Sequence, residues 1–355
     1  MAHNHHLVPM PWSASLLRRD LNARAQHLAV TSNLLHEHTT GNEPSILFGL
    51  DDQGRHGNFH PASYTAISAN PAWSRRLTKT HTDHRRVRAR ADWQWKELDC
   101  ANSSDALLMN IFCHPTVFSN GCLNEAVANL LGVPRETPPS FGIHPRVPLK
   151  RSPISRSKTT RSIKQQTTSS ALFSDASILP PKLEQAHHVK DRTEIDLQLG
   201  KLFVEAKLTE SNFQTASPRL VERYSDLEMI FDVERLPNKI ATPSSTYLFP
   251  ENFSDLEEQP APNLQTATSA HSRTIIQGYQ LIRNVLAAFD SDASFCVLCD
   301  NRRRDLIEIW YSVLSAVHYP GFAWRLKLLT WQELTSVLSE DLQQFLAAKY
   351  GIIPA

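Results

Sequence analysis

The sequence predicts an α/β domain built on a β-sheet, and two stretches carry that expectation. From Ser294 onward strand-like and helix-like segments alternate, the rhythm of a sheet with helices packed on it. Upstream, residues 194–209 (EIDLQLGKLFVEAKLT) alternate apolar and polar side chains around a central Gly200-Lys201, the pattern of a two-stranded hairpin. The chain has 355 residues, 41% hydrophobic and 21% charged, which fits a globular protein of about two domains.

The elements follow in order. A polar N-terminal stretch reads as helix from 13 to about 35. Residues 41–100 mix Gly, Asn, His and aromatics and read as loops with short strands, making 1–100 a region of its own. Residues 103–113 (SSDALLMNIFC) form a buried helix with a serine N-cap. A second helix, 122–131, stops at Gly132; 101–136 thus open the core. Residues 137–174 carry seven Lys/Arg and no acid among many Ser, Thr and Pro, the composition of a flexible basic linker. The core resumes over 175–355, interrupted at 240–272 by a loop with four acids, four prolines and no Lys/Arg. Its charge suits a shield over a site until nucleic acid displaces it.

A helix spans 272–289, with Ile275, Ile276, Tyr279, Ile282, Leu286 and Phe289 on one face. Gln277, Gln280 and Asn284 form the opposite stripe. Residues 294–300 (SFCVLCD) are a buried strand, and Asp300 or Asn301 caps a helix to about 317. LKLL (326–329) is the next strand. Thr330 and Glu333 make a capping box, and the last helix stops near Gly351.

The hairpin holds the chemistry. Gly at the first position of a two-residue loop suits a type II′ turn. That turn pairs Leu199 with Leu202, Leu197 with Val204 and Ile195 with Ala206, giving one apolar face. On the other face Asp196 opposes Glu205 and Glu194 opposes Lys207. Directly opposed side chains have Cβ atoms about 4.5–5.5 Å apart. Two carboxylates there repel each other, and a divalent cation relieves the conflict. Lys207 projects from the same face as Glu205, where an ammonium can orient water or neutralise a phosphate. A solvent-facing hairpin with one Glu194–Lys207 salt bridge is the blander alternative, and it leaves the acid pair unexplained.

An Asp, a hairpin and then Glu-Ala-Lys resembles the active-site signature of the PD-(D/E)XK nucleases. VEAKLTESNFQ, YQLIRN and SSDALLMNIF also look like a bacterial group of restriction-endonuclease-like proteins. The family's proline is replaced by Ile195. The resemblance implies a restriction-endonuclease-like core, a central mixed sheet with helices on both sides. It implies that Asp196 and Glu205 bind the metal, Mg²⁺ or Mn²⁺, that Lys207 is catalytic, and that a Gln of the following helix, Gln280 before Gln277, reaches the site. A further acid comes from an early helix, Asp105 before Glu125; a first-turn acid favoured by the helix dipole is the alternative for Asp105. The implied activity is metal-dependent hydrolysis of phosphodiester bonds, in DNA, with a homodimer among the assemblies such nucleases form. A non-catalytic nucleic-acid binder retaining the fold is the second reading.

Other features point away from chemistry. No GxGxxG or GxxxxGK[ST] occurs, and no run approaches 18 apolar residues. The N-terminus lacks a basic-then-apolar leader, and five scattered cysteines fit reduced thiols in a cytoplasmic protein. Cys296 and Cys299 lie in an apolar strand and read as core. Residues 75–96 hold eight Lys/Arg against two acids, suited to phosphates or simply to a charged loop. Arg302, Arg303 and Arg304 follow a strand end, where they either meet phosphates or begin a solvated helix. Clustered His3, His5 and His6, and His36 with His38, read as solvated. Trp93, Trp95, Trp310, Trp324 and Trp331 read as packing residues.

Overall fold

In the computed structural model, which describes residues 12–40, 43–80, 95–150, 190–241 and 273–355, five strands form one sheet. They are β1 (Pro139–Ile143), β2 (Ile195–Leu199), β3 (Leu202–Lys207), β4 (Ser294–Cys299) and β5 (Leu326–Thr330). The spatial order is β5-β4-β3-β2-β1. β2 runs antiparallel to both its neighbours, β1 and β3, and β3, β4 and β5 run parallel. The sheet is therefore mixed, as the resemblance implied.

Helices cover both faces. On one side Leu197, Leu199, Val204, Ala206 and Leu298 pack with α1 (Ala14–Thr31), α2 (Ser104–Phe112) and α5 (Glu340–Tyr350). On the other, Phe203, Phe295 and Val297 pack with α3 (Tyr279–Asp290) and α4 (Arg304–Ser315). Cys296 faces the first core and Cys299 the second, as residues three apart on a strand must. Burial pushes both thiols up to about 12.

Local signals explain the boundaries. Ser103 caps α2 by accepting the Ala106 amide at 3.2 Å, and Ser13 caps α1 through Leu16. Thr330 and Glu333 form the reciprocal capping box at the end of β5. Gly200 has φ +58° while Lys201 stays out of the left-handed region, which matches a II′ turn. α1 ends at Thr31, a turn before the reading placed it. It contributes Leu17 and Leu21 to the core beneath the sheet, so the N-terminal region packs directly on the later residues.

Three expectations are corrected. Residues 139–143 are the edge strand β1, and 146–148 pair with 190–192, so the first part of the basic segment is folded. The expected 272–289 helix is two elements: a strand Arg273–Gln277, then Gly278 at φ +70°, then α3. The run Thr274-Ile275-Ile276 favours strand, and it pairs with Asn238–Ala241 and Thr215–Ala216. Trp324 is 70% exposed, with the Arg325 guanidinium 5.2 Å from its ring. The acidic loop beyond Ala241, much of the basic 75–96 stretch, Trp93 and His3, His5 and His6 lie outside the described residues. Among the described residues no helix is long and apolar enough to cross a membrane.

Candidate active site

The hairpin sets the geometry. Its paired rungs are Leu199–Leu202, Gln198–Phe203 and Leu197–Val204, the register read from the sequence. The rungs end there. The next amide, Ala206 N–H, donates at 2.8 Å to Asp196 Oδ2, so a side chain takes the place of backbone pairing where the two carboxylates come opposite. Ile195 pairs instead with Ile143 of β1.

A cavity of about 560 Å³ opens over this end of the hairpin. Asp105, Glu194, Asp196, Glu205, Lys207 and Gln280 all line it. β2 supplies Asp196, β3 supplies Glu205 and Lys207, the first turn of α2 supplies Asp105, and the first turn of α3 supplies Gln280. A second cavity, of about 310 Å³ between Leu28, Phe59, Tyr64 and Phe345, is apolar and gathers none of these acids.

Glu205 is fully buried and held from three sides. Gln280 Nε2 donates to Oε1 at 2.5 Å, Asn284 Nδ2 to Oε2 at 2.8 Å, and Lys207 Nζ lies 2.8 Å from Oε1. Asn284 is fixed in turn by the Thr193 hydroxyl, which donates to its Oδ1 at 2.5 Å. Lys207 therefore pairs along its own strand with Glu205, which corrects the expected Glu194–Lys207 bridge. Glu194 turns instead to Arg76 at 3.1 Å and Lys79 at 3.2 Å. Arg76 also pairs with Asp105. It approaches across Gly142 of β1, where any Cβ would collide with the guanidinium.

These surroundings perturb every charge. Burial, then Glu205 and Asp105, push the Asp196 carboxyl well above its ordinary range. Burial raises Glu205 as well, against the pull of Lys207. Burial also raises Asp105 despite Arg76. Lys207 is raised too, which for an amine favours the charged form: burial disfavours its charge, but Glu205, Glu210 and Asp196 outweigh that and keep it protonated. Lys79 and Arg76 outweigh burial at Glu194 and hold it low.

The donor set suits a hard divalent cation. Asp196 uses only Oδ2 in hydrogen bonding, and among the described residues its other oxygen has no partner. A cation between Asp196 and Glu205 would relieve the repulsion that raises Asp196. One or two carboxylates, completed by water and phosphate oxygens, are a usual ligand set for such an ion.

The remaining sequence candidates fall elsewhere. Gln277 ends the strand before α3, outside the cavity, and Glu125 is exposed and faces Arg135 at 3.8 Å. Arg302 is held by Asp300 at 2.6 Å and lies 5.0 Å from the Trp12 ring. Arg303 is fully buried, donating to Leu208 O at 3.2 Å and to Asp305; Arg304 is exposed. The sequence reading missed Asn284 as a site residue. Its signal was there, because position 284 is one helical turn after Gln280. Arg76 and Lys79 carried no local signal, since their partners lie far along the chain.

The family described as Restriction Endonuclease associating with ARP matches residues 23–351. No curated protein and no solved structure shows a match. The match covers the N-terminal region from residue 23 onward, both hairpin strands and α3, and its description agrees with the mixed sheet and the resemblance found in the hairpin. The chain belongs to the family of restriction endonucleases associating with ARP.

Proposed function

We propose that the chain is a metal-dependent nuclease that hydrolyses DNA phosphodiester bonds in the cavity over the open end of the hairpin. One observation carries the reading: Asp196, Glu205, Lys207 and Gln280 line a single cavity, where burial and the neighbouring Glu205 carboxylate push Asp196 well above its ordinary range. A purely structural hairpin has no reason to bury that conflict.

Asp196 and Glu205 are the metal ligands, and Asp105 is the third acid once Arg76 releases it. Mg²⁺ or Mn²⁺ held there supplies Lewis-acid charge at the phosphate and lowers the pKa of the attacking water. The Lys207 ammonium sits 2.8 Å from Glu205, placed to orient that water or to neutralise charge developing on phosphate oxygens. Gln280 and Asn284 act on Glu205, fixing both of its oxygens so that the carboxylate is preorganised. Arg304, exposed at the start of α4, is the member of its triplet that can contact a DNA phosphate. The family's description names ARP as an associate, and such a partner is part of this proposal.

The test is cleavage of supercoiled plasmid and of single-stranded DNA with Mg²⁺, Mn²⁺ or EDTA, alongside Lys207→Ala. Cutting that needs the metal and vanishes in the variant supports the reading. Salt-sensitive DNA binding with no cutting under any metal would replace it with a non-catalytic binder.

A further inference from the structure

At the opposite end of α2 from Asp105, three side chains from distant parts of the chain converge. His60 stands immediately before the helix Pro61–Ala69, His114 follows α2, and Asp341 lies in the first turn of α5. One nitrogen of each imidazole and one Asp341 oxygen all lie within 4.8 Å of one another. His60 Nε2 is 3.0 Å from Asp341 Oδ2, and the two rings meet edge to face with centroids 4.7 Å apart. None of the three lines the carboxylate cavity.

We propose that His60, His114 and Asp341 form a second metal site, for a borderline divalent cation of the zinc type, separate from the carboxylate site. The donor set argues for the class. Two imidazoles and one carboxylate suit zinc and its first-row neighbours, whereas Mg²⁺ prefers oxygen donors alone. Burial argues for a ligand. His114 is 3% exposed, yet its Nε2 has no hydrogen-bond partner, an arrangement that buried polar atoms avoid. Its Nδ1 lies 2.7 Å from the Thr116 hydroxyl, which in turn contacts Ser339 Oγ at 2.9 Å. Such a chain fixes the orientation of a ligating ring.

Asp341 is exposed, with 72% of its side chain accessible, so the site opens to solvent and an ion can enter. Three protein ligands leave one tetrahedral position for water or an outside donor. Binding has two local costs. His60 Nδ1 accepts the Ala62 amide at 3.2 Å and His114 Nδ1 accepts the Thr116 amide at 3.3 Å, which places each ring proton on Nε2. Ligation through Nε2 moves those protons to Nδ1 and gives up both long hydrogen bonds. In exchange the ion ties the N-terminal region, the end of α2 and the C-terminal helix together.

The experiment uses the full chain carrying Asp196→Asn and Glu205→Gln, so that the cavity carboxylates do not contribute. Chelator-treated protein is titrated with Co²⁺, then with Zn²⁺ or Mg²⁺ as competitor. The proposal expects one equivalent of Co²⁺ with the visible absorption of imidazole ligation, displaced by Zn²⁺ and not by Mg²⁺. His114→Ala should weaken binding by at least about 100-fold, beyond the loss typical of an outer-shell partner. Asp341→Ala, at an exposed position that should not disturb folding, should weaken it by at least about tenfold. Absence of the Co²⁺ absorption, equal affinity in the Asp341 variant, or displacement by Mg²⁺ would overturn the site.

Discussion

At its turn the 195–207 hairpin is fully laddered and its charges stand in water; at its open end the ladder stops and its charges are buried. Around the turn Lys201 reaches Asp292 at 2.6 Å, and Arg325 reaches the same carboxylate at 2.5 Å. Those partners hold Asp292 down to about 2. At the open end, Asp196 takes a backbone amide, and Glu205 and Lys207 are shut away from water. The two ends share strands, register and an apolar face. They differ in whether the polar face is solvated. Where it is, charges serve register and solubility. Where it is not, burial and neighbouring carboxylates raise Asp196 and Glu205, and the proposed site rests on that contrast.

The largest expected difference between the ends is in activity. Lys207→Ala should lower the cleavage rate by about 10²–10³-fold in a single-turnover assay, while Lys201→Ala leaves the rate of folded protein unchanged. Equal losses from the two lysines would erase the distinction.

Stability should separate the ends next. Removing Lys207 alone strands a buried carboxylate, at a cost of about 3–5 kcal/mol, read from the urea midpoint. Glu205→Gln with Lys207→Met removes the whole buried pair, so this double variant should unfold later than Lys207→Ala and still fail to cut DNA. At the turn, Gly200→Ala should cost about 1–2 kcal/mol from its left-handed φ, with cleavage by the folded fraction retained.

The smallest effect is in pH dependence, and the two ends have opposite signs. Asp292 is held low, so its contribution is complete above its ordinary 3.8 and fades as pH falls through about 2. Asp196 is raised, so its contribution is complete below 3.8 and fades as pH climbs through its raised folded value. In metal-free protein, Asp196→Asn should therefore flatten the decline in stability on the alkaline side of pH 4. Asp292→Asn should act only in acid. Melting curves across pH, with EDTA present, would show both.

The hairpin was legible because its signals are local: period-two alternation, a Gly-Lys turn and a register that follows from them. α2, β4 and the capping box at Thr330 were legible for the same reason. What the sequence hid is nonlocal or ambiguous. Ile275 and Ile276 fit the spacing of the following helix as well as a strand, and only Gly278 marks the break. β1, with Pro139 and Gly142, has a linker's composition, and its pairing with β2 makes it a strand. Asn284 looked solvated in a polar stripe, because nothing nearby reveals that Glu205 lies over it. Arg76 meets Glu194 across more than a hundred residues.

The central claim is that the open end of the hairpin is built around a divalent cation. The most direct measurement is the thermal midpoint of the full chain as Mg²⁺ is added, for the parent, Asp196→Asn and Glu205→Gln. Binding to the folded state alone raises stability by about 2.7 kcal/mol at a hundred times Kd. The account predicts a rising midpoint for the parent and a flat one for each variant. A rise of equal size in all three would contradict it.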